Sequence, residues 1–309
     1  MEHGSWDYCI ENALPKLVHL GLHGGLSQIV DAVQYYIDKY RAVSPSGLFR
    51  QNDGLQTQTA NTGFNTLLVA NFFSLAEITD TFALNTMLGG LDVMYDFVMK
   101  KDYNIYYSRE DRDKLKAVPN VWKNKKFIKR SLIEEYGFCY PLIYDVAGLH
   151  RLYRMMNPEI DKKVDAIIRY ISTDEYHDSI DDNYGIIISG DRKYHAMGWD
   201  AKYPGWYDVK WYMENANAPK LLFFALCISN YKITHNTKWF SSLLEYLDTY
   251  KTRNGTYIFP ADWLKEKQGY AVQGNHLSFG ENRRKKNWRE IESTFYVSLL
   301  RQNMINVTV

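Results

Sequence analysis

Residues 11–22 read ENALPKLVHLGL, and residues 214–226 read ENANAPKLLFFAL. The second string is the first with one residue inserted, and self-similarity of this kind marks a helical repeat. Three further apolar segments belong with them: ANTGFNTLLVANFFSLAEI (60–78), YPLIYDVAGLHRLYRMM (140–156) and WREIESTFYVSLLRQNM (288–304). In 140–156, Leu142, Val146, Leu149, Tyr153 and Met156 recur at three- and four-residue steps, the spacing of one buried helical face. Several of these segments are apolar over more than one stripe, as enclosed helices are. They form an inner set.

A second kind of helix alternates with them: IVDAVQYYIDKY (29–40), LDVMYDFVMKK (91–101), IDKKVDAIIRYIS (160–172) and WFSSLLEYLDTY (239–250). Each ends in an aromatic-rich turn and then meets a Gly or Asn before an apolar pair: Gly47-Leu48-Phe49, Asn104-Ile105-Tyr106, Gly185-Ile186-Ile187 and Gly255-Thr256-Tyr257. Glycine, and less readily asparagine, accepts the left-handed backbone of a chain reversal. Inner-to-outer connections are brief: 23–27, 79–83, 157–159 and 230–238. Outer-to-inner connections are long: 43–59, 102–139, 174–213 and 251–287. Long loops in compact domains usually carry function. If helices alternate in direction, all the long loops emerge at one end and rim the mouth of the inner set.

This alternation, with its aromatic-Gly-x-aromatic turns, resembles the α/α toroid of the terpenoid cyclase and protein prenyltransferase superfamily over the whole chain. The resemblance implies an all-α fold: a single α/α-toroid domain spanning residues 1–309, with a charged insertion at 102–139. Related (α/α) barrels, including glycan lyases and unsaturated-glucuronyl hydrolases, share the alternation. Five inner and four outer helices leave the ring one helix short. An outer helix at a terminus, the 110–136 segment or a partner chain would close it.

The 309 residues are 46% hydrophobic and 24% charged with a net charge of +1, so no global field draws the chain to nucleic acid or membranes. The 25 Tyr and 8 Trp suit thick helix packing and equally a ligand-lined cavity. Cys9, Cys139 and Cys227 are widely spaced without a CxxC pair, which suits a reducing compartment rather than a disulfide framework. The start, MEHGSWDYCIENALP, shows no basic region followed by an apolar core, and no apolar run approaches a membrane span. A cytoplasmic protein without a membrane span is the expectation.

The cyclase resemblance implies an Asp-x-Asp-Asp acid, but here Ser179-Ile180-Asp181-Asp182 carries serine first and reads as a turn before Asn183-Tyr184-Gly185. The prenyltransferase resemblance implies zinc on Asp, Cys and His. No ligand spacing surrounds Cys139, Cys227 or the scattered histidines His19, His150, His177, His195, His235 and His276, so no metal and no cofactor is assigned. Carboxylates at inner-helix starts are better candidates. Glu11, Glu214 and Glu292 fall in first turns, and Asp145 within the first two turns of its helix. There they offset the positive helix end, or rim one cavity where crowding makes an acid/base pair.

The loop 189–212, SGDRKYHAMGWDAKYPGWYDVKWY, is the densest mixture of aromatics and carboxylates. It supplies Trp199, Trp206, Tyr207 and Trp211 as ligand-binding candidates, and Asp200 and Asp208 as catalytic ones beside Glu214, Glu292 and Asp145. Aromatic faces serve sugar rings and isoprenoid cations alike. Tyr257 and His276, in the loop of the last repeat, would complete the wall. Arg283 and Arg284, within the basic run 283–286, make a solvated turn or clasp an anionic ligand end.

Three functions follow. One is an enzyme acting on an isoprenoid-like ligand in the central cavity by carboxylate acid/base chemistry. Another is a glycan-active (α/α)-barrel hydrolase or lyase, which needs a facing carboxylate pair. The third is a non-catalytic ligand- or peptide-binding module. In each the partner is a small molecule or glycan. Nucleic acid is not expected, because 109–130 interleaves its lysines and arginines with Glu110, Asp111 and Asp113, as a solvated helix face does.

Overall fold

The computed structural model describes residues 10–22, 26–43, 80–100, 102–132, 140–153, 155, 157–182, 184–190 and 193–306. The apolar segment 60–78 and the turn at Gly47 lie outside them. The chain is mostly helical and divides into two compact units, His23–Lys202 and Met1–Leu22 with Tyr203–Val309.

The first unit contains α2 (Ser27–Val43), α3 (Thr81–Met99), α4 (Arg109–Asp113), α5 (Ile143–Tyr153), α6 (Pro158–Ile171) and α7 (Asp174–Ser179), then the strands β1 (Tyr184–Gly190) and β2 (Lys193–Trp199). Helix α5 is enclosed on all sides: Ile143 through Leu149 and Leu152 are all buried. Helix α6 buries one stripe, Ile160, Val164, Ile167, Ile168 and Ile171, and leaves its charged face outward. In this pair of helices the inner and outer distinction read from periodicity is visible as burial. Helix α6 packs on α5 and on α3, and α3 packs on α2.

The second unit contains α1 (Ile10–His19), α8 (Val209–Asn215), α9 (Ala218–Ile228), α10 (Lys238–Asp248) and α11 (Trp288–Asn306). Helix α9 is the enclosed one, with Ala218 and every residue from Leu221 to Ile228 buried. Helix α10 is one-faced through Trp239, Phe240, Leu243 and Leu247. Helix α8 packs on both α9 and α10, and α9 packs on α11.

Five expectations are corrected. Helix α9 does not begin at Glu214: Asn217 caps it by accepting from the Lys220 N–H at 3.1 Å, and Pro219 sits in its first turn. Glu214 instead lies in the last turn of α8. Residues 81–83 belong to a helix rather than to a connection, because Asp80 accepts from the N–H groups of Phe82 and Ala83 and starts α3 at Thr81.

The loop 174–213 is largely regular structure. β1 and β2 form an antiparallel hairpin in which Tyr184 faces Trp199 and Ile188 faces Tyr194. Ile186, Ile187 and Ile188 form a β-branched run that favours a strand over a loop, and Gly185 sits in that strand rather than in a left-handed turn. Gly255, by contrast, has the left-handed φ of +83° expected of it.

The charged insertion is not a solvated helix face. Among the described residues its helical parts are the five residues of α4, a 3-10 turn at Asn120–Trp122 and residues 130–132. Beyond them the chain adds to the hairpin: Phe127 pairs in parallel with Ile186, and the Ile128 N–H donates to the Ile186 carbonyl at 2.8 Å. Phe127, Ile186 and Ile188 form a small core covered by Tyr107, Leu115, Val118, Trp122, Tyr184 and Tyr194. The acidic and basic residues take the outside of this cluster because its few apolar residues are used up inside.

Candidate functional site

Of the anticipated site residues, Trp206, Tyr207 and Asp208 come together. They line one side of a cleft of about 370 Å³ in the second unit, opposite Lys238, Trp239, Ser242, Glu245 and Tyr246 of α10 and the Thr249 that ends it, with Val209 and Lys210 of α8 completing it. The floor is built first. The Trp239 indole donates to the Pro204 carbonyl at 2.8 Å, and Tyr203 packs edge-on against both Trp206 and Trp239 with centroids 5.2 and 5.3 Å apart. Gly205 makes the turn between them at φ +69°, where a Cβ would lie 2.7 Å from that of Tyr212. This turn holds Trp206 half-buried and turns Tyr207 outward, 63% exposed.

Asp208 caps α8 by accepting from the Trp211 N–H at 2.8 Å, and Trp211 is 57% exposed on that helix. Tyr246 hydrogen-bonds Tyr250, hydroxyl to hydroxyl, at 3.1 Å. Burial, that bond and one with Glu214 push its phenol well above the ordinary range. Glu214 thus neighbours the cleft through Tyr246 rather than through a helix start. The charges on the lining balance: Lys210 and Lys238 against Asp208 and Glu245.

The other candidates are placed elsewhere. Glu292 lies in the second turn of α11, not the first, and is 1% exposed. It accepts from Arg283 Nη1 at 2.8 Å and from the Glu281 N–H at 2.8 Å. Arg283 also donates to the Leu264 carbonyl at 2.9 Å and lies 3.9 Å over the Trp288 ring. Its guanidinium is thus engaged by Glu292, Leu264 and Trp288. Arg284 itself is exposed, with its N–H on Asn282. Tyr257 donates to Asp248 at 2.6 Å, beside Arg301, and His276 Nε2 lies 3.0 Å from the Gly269 carbonyl.

Asp145, fully buried, reaches back to the Leu142 N–H at 2.8 Å and so completes the start of α5. Leu142 in turn forms a bridge with Asp200, whose Oδ1 accepts from the Lys202 N–H at 2.9 Å. The charge of Asp200 reaches a tyrosine nest in the first unit. Burial first, and Asp200 among the lesser causes, hold the phenols of Tyr140 and Tyr176 far up, and their hydroxyls lie 3.0 Å apart. Trp199 packs edge-on against Tyr184 across the hairpin at 5.3 Å. Glu11 has no described side chain. Ser179 ends α7, and Asp181 pairs with Lys126 at 2.8 Å.

Among the described residues no group of three or more His, Cys, Asp or Glu gathers to hold a metal ion. The Cys227 thiol is pushed up to about 12 by burial, so it stays protonated at neutral pH. No described helix is long and apolar enough to cross a membrane. Sequence reading missed Lys238, Ser242, Glu245 and Thr249. They occupy the polar face of α10, and its apolar stripe was the part that periodicity made legible. Comparison of the chain with protein-family models, with curated proteins and with solved structures finds no match to any of them.

Proposed function

We propose that the protein is a ligand-binding module whose cleft between Trp206–Lys210 and α10 takes a neutral glycan. The observation that carries this reading is the lining itself. Half-buried Trp206 and exposed Tyr207 offer ring faces, while Ser242, Thr249 and two opposed charge pairs offer hydrogen bonds without a net field. A sugar presents that combination: apolar C–H faces between hydroxyls that both donate and accept. An isoprenoid fits less well, because a hydrocarbon would desolvate Lys210, Lys238, Asp208 and Glu245 without compensation.

Binding is preferred to hydrolysis on the same lining. A general acid for glycosidic cleavage is a desolvated carboxyl group, whereas Asp208 and Glu245 are both exposed and Asp208 is occupied as a helix cap. In this reading the helices are layers of an α/α toroid. The burial of α5 and α9 on all sides and of α6 and α10 on one face supports that arrangement.

Tryptophan fluorescence titrated with maltohexaose, cellohexaose and chitohexaose tests the proposal. Saturable quenching by one of them is expected, and Tyr207→Ala should weaken it about tenfold, the value of one ring-stacking contact, with an unchanged melting temperature. No saturable response to any of the three, or a response indifferent to Tyr207→Ala, overturns the reading. Quenching by farnesol instead would transfer the cleft to the isoprenoid class.

A further inference from the structure

The first unit holds a larger cleft, about 860 Å³, that the glycan reading does not use. Its walls come from the 102–132 segment and the end of α7, and its lining is cationic. Arg109, Arg112, Lys126 and Lys129 face a single carboxylate, Asp111, among Tyr103, Tyr106 and Tyr107.

The placement is rigid for backbone reasons. Tyr106 bridges Ile128, the Tyr107 N–H donates to the Phe127 carbonyl at 2.8 Å, and the Lys129 N–H donates to the Ile105 carbonyl at 2.8 Å. Arg109 and Arg112, three residues apart on α4, share a face. Ser108 starts that helix by accepting from the Asp111 N–H.

The carboxylates nearby are already engaged. Asp111 is held by Lys114 at 2.8 Å and by Ser108, and Asp181 by Lys126 at 2.8 Å. Lys129 donates to the Asn104 carbonyl at 2.7 Å and, without forming an ion pair among the described residues, feels the charge of Asp111. Among the described residues neither Arg109 nor Arg112 forms an ion pair. Three cations thus crowd one cleft around a single carboxylate that Lys114 and Ser108 already hold, and an anion with several oxygens relieves the remaining repulsion while filling the guanidinium forks.

The tyrosines point to the rest of the ligand. Their hydroxyls are taken: Tyr103 by Thr173 at 3.0 Å, Tyr106 by the Asp181 N–H at 3.3 Å and Tyr107 by the Arg130 N–H at 3.2 Å. What they offer the cleft is ring surface. We propose that this cleft binds a small ligand carrying a phosphate chain and a flat ring, the chemistry of a nucleoside triphosphate. Arg109, Arg112 and Lys129 take the phosphates, and Tyr106 and Tyr107 take the ring. The cleft volume is that of a small-molecule site. The carboxylates of Glu110 and Asp113, exposed on the same short helix, would repel a longer strand on either side.

Calorimetric titration of the full chain with ATP, inorganic triphosphate and a single-stranded 20-nucleotide RNA tests this. ATP is expected to bind saturably and about tenfold more tightly than triphosphate, the value of one stacked ring. Arg109→Gln, at an exposed residue with no ion-pair partner to lose, should weaken ATP about tenfold. Lys123→Gln, an exposed lysine outside the cleft, should leave it unchanged. Absence of ATP binding, equal loss in both variants, or equal affinity for ATP and triphosphate overturns the proposal. RNA binding more tightly than ATP overturns it in favour of a strand.

Discussion

Among single residues, the buried polar groups divide into those that stabilise a turn and those that respond to solvent conditions. Glu292 belongs to the first kind. Its position near a helix start is readable from sequence, but its partner is not, because Arg283 reaches it only after the 278–288 turn has closed. His177 belongs to the second. It is 2% exposed, its Nε2 lies 3.1 Å from the Ile171 carbonyl, and burial followed by the Lys202 charge lowers its pKa to about 3. The unfolded chain takes up this proton near pH 6.5 and the folded chain does not. Stability is therefore full above pH 6.5 and falls as the pH drops toward 3. At pH 5 the loss is about 2 kcal/mol. Urea unfolding at pH 7 and pH 5 should show it, and His177→Gln should flatten that difference. An equal pH slope in the variant would assign the loss to other groups.

At the scale of elements, two glycines with the same backbone conformation carry different loads. Gly255 has φ +83° and open space around it. Gly274 has φ +76°, and a Cβ there would fall 2.2 Å from the Pro219 carbonyl carbon and 2.4 Å from the Lys220 nitrogen, in the first turn of α9. The first position asks only for left-handed backbone, which costs an L-residue about 1–2 kcal/mol. The second also asks for room against another backbone, which cannot rotate away. Gly255→Ala should cost about 1 kcal/mol and Gly274→Ala about 3 kcal/mol or more, by chemical denaturation. Similar losses would mean that the 274 turn shifts as a body. Sequence marked Gly255 as a reversal. Only the approach of the turn to α9 tells the two glycines apart.

The same limit explains the misplaced elements. The hairpin was hidden because its strands are short and flanked by aromatics that also suit a lid. The 109–130 segment was read as solvated because charges dominate it, although its apolar residues, few as they are, find a sheet to pack on. In both cases the partner surface lies far along the chain, and periodicity within one segment carries no information about it. The aromatic cleft was half legible. Trp206, Tyr207 and Asp208 stand together in sequence, whereas Ser242 and Glu245 join them only because α8 packs on α10.

Across the whole molecule, charge is nearly balanced at +1, so no long-range field gathers ligands. Any electrostatic binding is local to one cleft. Raising NaCl from about 0.05 to about 0.5 M should therefore weaken triphosphate binding about tenfold or more and leave glycan affinity nearly constant. Equal salt sensitivity of the two would contradict the division between a cationic and a charge-balanced cleft.

By itself the sequence marked α5 and α9 as enclosed and α6 and α10 as one-faced, because burial is written in the spacing of apolar residues within each helix. It set α11 among the enclosed helices, but the structure buries one face of it, with Ile291 and Phe295 exposed. It also determined where aromatic and charged side chains are concentrated. Only the tertiary structure decided which of them meet. It tied Arg283 to Glu292, turned Asp208 and Asp145 to helix starts, and left Arg109 and Arg112 without an acid. Pairing across the chain is set by how elements pack, and no local pattern records that.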